Sequence, residues 1–298
     1  MKTTLNLSFL LLSVLVFSQT NRFFYDYKFV SDSTDKANVK NAVMLLDIDQ
    51  KGSVFMDNQK YIADSTQNAE LAKQMKLNSG SFTINRSEKP GQISYKVTKQ
   101  YPEFKTYLFT RVASDSYKVE ENKKPEWKIL PDKQKIGEYS AQKATTTYLG
   151  RQWTAWFTTE IPFQDGPYKF YGLPGLIVKI EDKTGTHSMT LAGNKKINKV
   201  ENEEVALPNG MQIYGVGTKD IEATKEQFKK VWKNYKNDPT KNMREMMSKN
   251  SDTNKVIFKT KSADGREISD PNQVFREMEK NAKEGFKKNN NPIELDLY

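Results

Sequence analysis

The chain opens on an apolar run, Leu5 to Phe17, behind a single Lys2, and then breaks into short alternating segments. The run has the length and positive flank of a secretory signal peptide, with Val16 and Ser18 at the two positions a peptidase reads before Gln19. A bilayer-spanning helix needs ~20 apolar residues, and this run falls short. Residues 1–18 are therefore expected to be a signal peptide, the mature chain to carry no transmembrane segment, and the destination to be the periplasm or the outside. From Arg22 the period is two. Arg22 to Val30 (RFFYDYKFV) is aromatic and β-branched, as strands are. Asn41 to Ile48 and Ser53 to Met56 flank the turn Asp49-Gln50-Lys51-Gly52 and predict a hairpin.

One helix, Thr66 to Leu77, interrupts the strands. Past the Pro90-Gly91 turn they resume at Ile93 to Val97, Phe104 to Val112, Ser116 to Glu121, Trp127 to Leu130, Glu138 to Leu149 and Arg151 to Thr159. Leu176 to Ile180 and Thr186 to Leu191 follow, joined by the tight turn Asp182 to Gly185. Ile197 to Leu207 and Met211 to Val216, hinged at Pro208-Asn209-Gly210, complete the strand-rich part. After residue 217 the period becomes helical. Thr224 and Gln227 form a capping-box pattern, and Phe228, Val231, Trp232 and Tyr235 then share one helical face. Asp238-Pro239 stops that helix, and Met243 to Met247 is a shorter one. Val256 to Lys259 reads as one more strand, and Asp270-Pro271 opens a last helix before a polar break and a short tail, Ile293 to Tyr298.

Strands first and helices later, with no βαβ alternation, predict an α+β fold. The expected architecture is a large curved antiparallel sheet, half-barrel-like, with helices packed on it, mostly C-terminal. It forms a single domain over 19–298, strand-rich over 19–217 and helix-rich over 218–290.

Composition narrows the chemistry. The 298 residues include no cysteine and one histidine, so disulfides, thiolate metal sites and cysteine nucleophiles are excluded, as is any site needing two imidazoles. A Ser-His-Asp arrangement would have to use His187, and the chain has no Gly-x-Ser-x-Gly elbow. Glu160 and Asp165, like Asp47 and Asp49, read as ordinary surface charge, and no metal or cofactor is expected. The formal charge of +10 is spread rather than blocked. In an exported protein it suits anionic lipid or polysaccharide rather than nucleic acid.

The densest segment is Tyr139 to Gly185, where Tyr148, Trp153, Trp156, Phe157, Phe163, Tyr168, Phe170 and Tyr171 surround Arg151, Glu160 and Lys169. Lys143-Ala144-Thr145, Gly150-Arg151, Trp153, Ala155-Trp156, Ile161-Pro162 and Gly166-Pro167-Tyr168-Lys169-Phe170 lead into Gly172-Leu173-Pro174-Gly175-Leu176-Ile177. Over these residues the chain resembles the GLPGLI family of exported proteins of the Gram-negative envelope. That resemblance implies an envelope protein of unassigned activity, often encoded near outer-membrane receptors, and it implies no catalytic residue.

Trp153 and Trp156, three apart in a strand, point to opposite faces, whereas Arg151 and Trp153 share one. Arg151, Trp153, Trp156, Glu160, Lys169 and Tyr171 are thus candidates for an apolar pocket with a cationic rim. The loop Gly172, Leu173, Pro174, Gly175, Leu176, Ile177 is either an architectural corner or an anion-binding nest or lid. Three functions fit: an exported binding or accessory protein, carrying an amphiphile or assisting an outer-membrane receptor; an adaptor without small ligand; or a carboxylate-based hydrolase. A deep cavity beside Trp153 favours the carrier, and a filled core the adaptor.

Overall fold

A computed structural model describes residues 19–76, 93–198, 219–249, 260–261, 265, 267–268 and 270–298. The expected signal peptide, the expected Pro90-Gly91 turn, residues 199–207 of the strand expected from Ile197, the expected 208–210 hinge with the strand expected after it, and the strand expected at 256–259 lie outside the described residues.

Twelve strands form one open sheet. In chain order they are β1 (Gln19–Val30), β2 (Val39–Ile48), β3 (Gly52–Asp57), β4 (Lys96–Gln100), β5 (Lys105–Val112), β6 (Asp115–Glu121), β7 (Lys128–Ile136), β8 (Tyr139–Tyr148), β9 (Arg151–Thr158), β10 (Leu176–Asp182), β11 (His187–Asn198) and β12 (Ile221–Thr224). Across the sheet the order is β12-β6-β5-β4-β3-β2-β1-β11-β10-β9-β8-β7. Every pairing is antiparallel except β12 on β6. A separate two-stranded pair joins β13 (Thr260–Lys261) to β14 (Glu267–Ile268). The helices are α1 (Asn58–Lys76), α2 (Lys225–Asn237), α3 (Lys241–Lys249) and α4 (Pro271–Lys288).

The alternation in β1 does what its period requires. Phe23, Tyr25, Tyr27 and Phe29 all face one core, joined there by Met44, Leu46 and Ile48 of β2 and Phe55 of β3. The same core takes in Tyr168, Phe170 and Leu173 from the β9–β10 connection and Ile293 and Leu297 from the tail. On the opposite face, Ala141, Trp156 and Val178 form a small second cluster.

Several boundaries differ from expectation. The first helix begins at Asn58, eight residues early, because Asp57 accepts a hydrogen bond from the Lys60 amide and closes its first turn. β7 runs on to Ile136, and β11 extends through Asn198 as a partner for β1 from Gln19 to Phe29. Residues expected to begin a helical region instead supply β12, whose parallel pairing with β6 leads directly into α2. The two caps read from sequence are present. Thr224 and Gln227 form the capping box of α2, and Asp270 accepts from the Asn272 amide with Pro271 in the first turn of α4.

Candidate functional site

The connection between β9 and β10 runs along the core face, and Lys99 organises it. β4 places Val97 and Lys99 on the same inward parity, so a lysine stands where an apolar residue is expected. Its Nζ donates to the carbonyls of Gly166 (2.7 Å), Tyr168 (3.0 Å) and Phe170 (3.3 Å) and pairs with the Asp165 carboxylate. Both side chains are fully enclosed. Burial draws the Lys99 pKa down, and Asp165 opposes that pull. Asp165 also accepts from the Tyr101 hydroxyl and from the Gly166 amide at 2.6 Å. Tyr168 takes a positive φ of 55°, which few non-glycine residues adopt.

A second buried cluster lies next to it. Lys169 reaches Glu121 of β6 at 3.1 Å and Glu294 of the tail at 2.5 Å. Lys225, the first residue of α2, reaches Glu121 (3.3 Å), Glu294 (3.5 Å) and Asp296 (3.0 Å). Tyr168 donates to Glu294. Burial works to raise the Glu121 pKa, but Lys169 and Lys225 outweigh it and the carboxyl stays below its usual range. Burial likewise lowers Lys225, and Glu294 and Glu121 reverse the sign.

Arg151 clamps the tail. Its guanidinium donates to the carbonyls of Ile293 (3.2 Å) and Pro292 (2.5 Å), to Oδ1 of Asn291 (2.6 Å) and to Asp182 (3.0 Å). Asp182 in turn accepts from the amides of Thr186 (2.7 Å) and His187 (2.9 Å).

The six sequence candidates do not converge on one cavity. Arg151, Trp153, Lys169 and Tyr171 all lie on the core side and are buried. Trp153 donates from Nε1 to the Tyr148 carbonyl at 2.9 Å and packs edge-on against Phe170. Tyr171 stacks on Phe104 with ring centroids 4.7 Å apart, and its carbonyl accepts from Trp127 at 2.7 Å. Trp156 is on the far face, where Lys143 lies 5.8 Å from its ring centroid. Glu160 is exposed and accepts from the Ser140 amide at 2.9 Å.

In the loop, Leu173, Leu176 and Ile177 are buried. Gly175 has φ +146° with a would-be Cβ 2.0 Å from the Thr158 carbonyl, so the motif turns where only glycine fits. The Leu176 amide donates to the Ile161 carbonyl (3.0 Å) and the Ile177 amide to that of Asp165 (3.0 Å), so the corner's donors are spent internally.

Two expectations about single residues are corrected. Asp165 is not surface charge: Lys99 neutralises it in the core. Asp47 takes both arms of the Arg22 guanidinium at 2.7 Å. Lys99, Glu121, Lys225, Asn291 and Glu294 escaped notice because their partners lie far away in sequence. The available signal was parity, since Lys99 follows Val97 and Glu121 follows Val119 on inward faces.

These features define a class: an open, mostly antiparallel sheet whose β9–β10 connection is bound to it by buried ion pairs. A family model described as a protein of unknown function (Porph_ging) matches residues 148–179, a span containing β9, the connection and the glycine corner. No curated protein matches the chain. Two solved structures of PNGF-II, in the P21 and C2 space groups, are similar at 14% and 15% identity, each with a TM-score of 0.46. The likeness covers 72% of this chain and 33% of theirs, so the chain spans about a third of their length.

Proposed function

We propose that this is an exported accessory protein of the Gram-negative envelope that works as an adaptor, docking on a protein partner such as an outer-membrane receptor. The observation that carries the reading is the filled core beside Trp153. Arg151, Lys169 and Asp165, the charges a ligand would need there, are spent on Asp182, on Glu121 and Glu294, and on Lys99. Recognition then falls to the outer surface. There the edge strand β7 carries Lys128, Lys133 and Lys135 with Ile129 46% exposed. An edge strand offers unpaired backbone groups to a partner strand, and its lysines favour an acidic one. The signal-peptide pattern of residues 1–18 and the likeness to GLPGLI proteins support the address. Lys99 of β4 meeting the β9–β10 connection supports the half-barrel curl of the sheet.

In-cell crosslinking from a photoreactive residue at position 129 tests the reading. One dominant protein adduct is expected, weakened when Lys133 and Lys135 become glutamate. Lipid or polysaccharide adducts without a protein partner would contradict it.

A further inference from the structure

The hairpin from β7 to β8 closes at Ile136 opposite Tyr139, through the two-residue turn Gly137-Glu138 with Gly137 at φ +58°. A turn of that length is closed by a hydrogen-bonded pair, so the backbone groups of Ile136 and of Gln134 face β8. Those of Lys135 and Lys133 point to the open edge. The side chains sort with the same period. Gln134 stands opposite Ala141, and Ile136 packs against the Ala141, Trp156 and Val178 cluster, so both lie on the far face. Lys133 and Lys135 therefore share the core-side face, as does Ile129, which stands opposite Ala144. Two free backbone rungs and two lysines of one face coincide.

The charges of this edge are unanswered. Lys128, Lys133 and Lys135 are exposed, and none of them is in an ion pair among the described residues. Exposed lysines elsewhere have partners: Lys60 has Asp64, and Lys283 has Glu279. At the opposite edge of the sheet, Glu222 of β12 pairs with Lys118 of β6 at 3.0 Å. The one acid of β7, Asp132, sits in the irregular stretch between Ile129 and Lys133. There Pro131 has no amide hydrogen, and the Leu130 carbonyl accepts from Gln142 at 2.8 Å. That stretch ends the regular edge, so an incoming strand pairs over Lys133 to Lys135. A second copy of β7 does not suit it, because the symmetric register that uses both rungs sets lysine opposite lysine.

We propose that the partner adds to this edge a short strand with carboxylates at alternate positions, one opposite Lys133 and one opposite Lys135. This deepens the docking reading above and rests on it. Alternate residues of a strand point to one side together, so both acids meet both lysines. Adjacent acids would send one of the pair to the face of Gln134, away from the lysines. The pattern acid-x-acid is thus selected over acidity alone.

Two labelled peptides of one composition, with two glutamates among valine and threonine, test this against the full chain by fluorescence polarisation. One carries the glutamates at alternate positions and the other carries them side by side. The alternating peptide should bind about two- to fivefold more tightly, the worth of one further cross-strand ion pair. Lys133→Gln and Lys135→Gln should each abolish the difference, and amide exchange at Lys133 and Lys135 should slow in the wild-type complex. The proposal is overturned if neither peptide binds saturably, if the two bind alike, or if the preference survives in both variants. One dominant protein adduct in cells with peptides that bind alike removes this pattern and keeps the docking reading. A clear peptide preference with no protein adduct keeps the pattern and removes that reading.

Discussion

Lys99 and Asp165, 66 residues apart in the chain, meet as a fully enclosed ion pair that ties β4 to the connection between β9 and β10. Three backbone carbonyls, those of Gly166, Tyr168 and Phe170, complete the ammonium's surroundings. A buried pair of this kind adds little over an apolar substitute, but losing one partner strands the other, so it dictates where the connection lies. Of the aromatic residues that mark the segment in the sequence, Tyr148, Trp153, Phe157, Tyr168 and Phe170 pack in the core on that side, while its Arg151 and Lys169 reach the tail.

The glycines of the corner should separate cleanly on substitution. Gly175→Ala puts a Cβ 2.0 Å from the Thr158 carbonyl at φ +146° and should cost about 3 kcal/mol or more. Gly172→Ala meets nothing within 4 Å, leaving only the strain of φ +90°, on the order of 1–2 kcal/mol. Urea unfolding of both variants gives the comparison, and equal costs would argue against close packing at Gly175.

Acid should act first through His187. Burial and the nearby Arg151 lower its pKa from 6.5 to about 4, only partly opposed by Asp182. The unfolded chain then binds a proton that the folded chain refuses between those values. The stability is complete above pH 6.5 and is lost as pH falls towards 4, by on the order of 3 kcal/mol. Glu121 and Asp182, both held below their usual pKa, add their own loss at lower pH. His187→Gln should flatten the slope between pH 6.5 and 4 and leave the more acidic loss in place; an unchanged slope assigns it to other groups.

Arg151→Lys keeps the charge and loses the fork that reaches Asp182, Asn291 and two tail carbonyls at once. A loss of about 2–3 kcal/mol is expected, with earlier amide exchange at Ile293 and Leu297 than elsewhere in the core. Uniform exchange through the core would mean that Arg151 does not clamp the tail.

The strands β1 to β3, β5, β6 and β8 to β10 were legible because one wet or filled face imposes a period of two, and the caps at Thr224 and Asp270 are local chemistry; β4, expected at Ile93 to Val97, runs instead over Lys96–Gln100 and so brings in Lys99. What stayed hidden was long-range. Nothing near Ile293 to Tyr298 announces that this short tail enters the core, because its partners are Arg151, Lys169 and Lys225. β12 is four residues long and its parallel partner β6 lies about a hundred residues earlier, beyond any periodic signal. The candidate site shows the same division. The opposed faces of Trp153 and Trp156 follow from spacing, while the burial of Arg151 and Lys169 among carboxylates does not.

Whether the 159–175 connection braces the sheet is read most directly from urea unfolding of Lys99→Met. Removing the ammonium leaves Asp165 and three carbonyls enclosed without their donor, and a loss of about 3–5 kcal/mol is expected. Adding Asp165→Asn to that variant should recover part of the loss, because the stranded charge goes with it. A Lys99→Met protein within about 0.5 kcal/mol of wild type would contradict the brace.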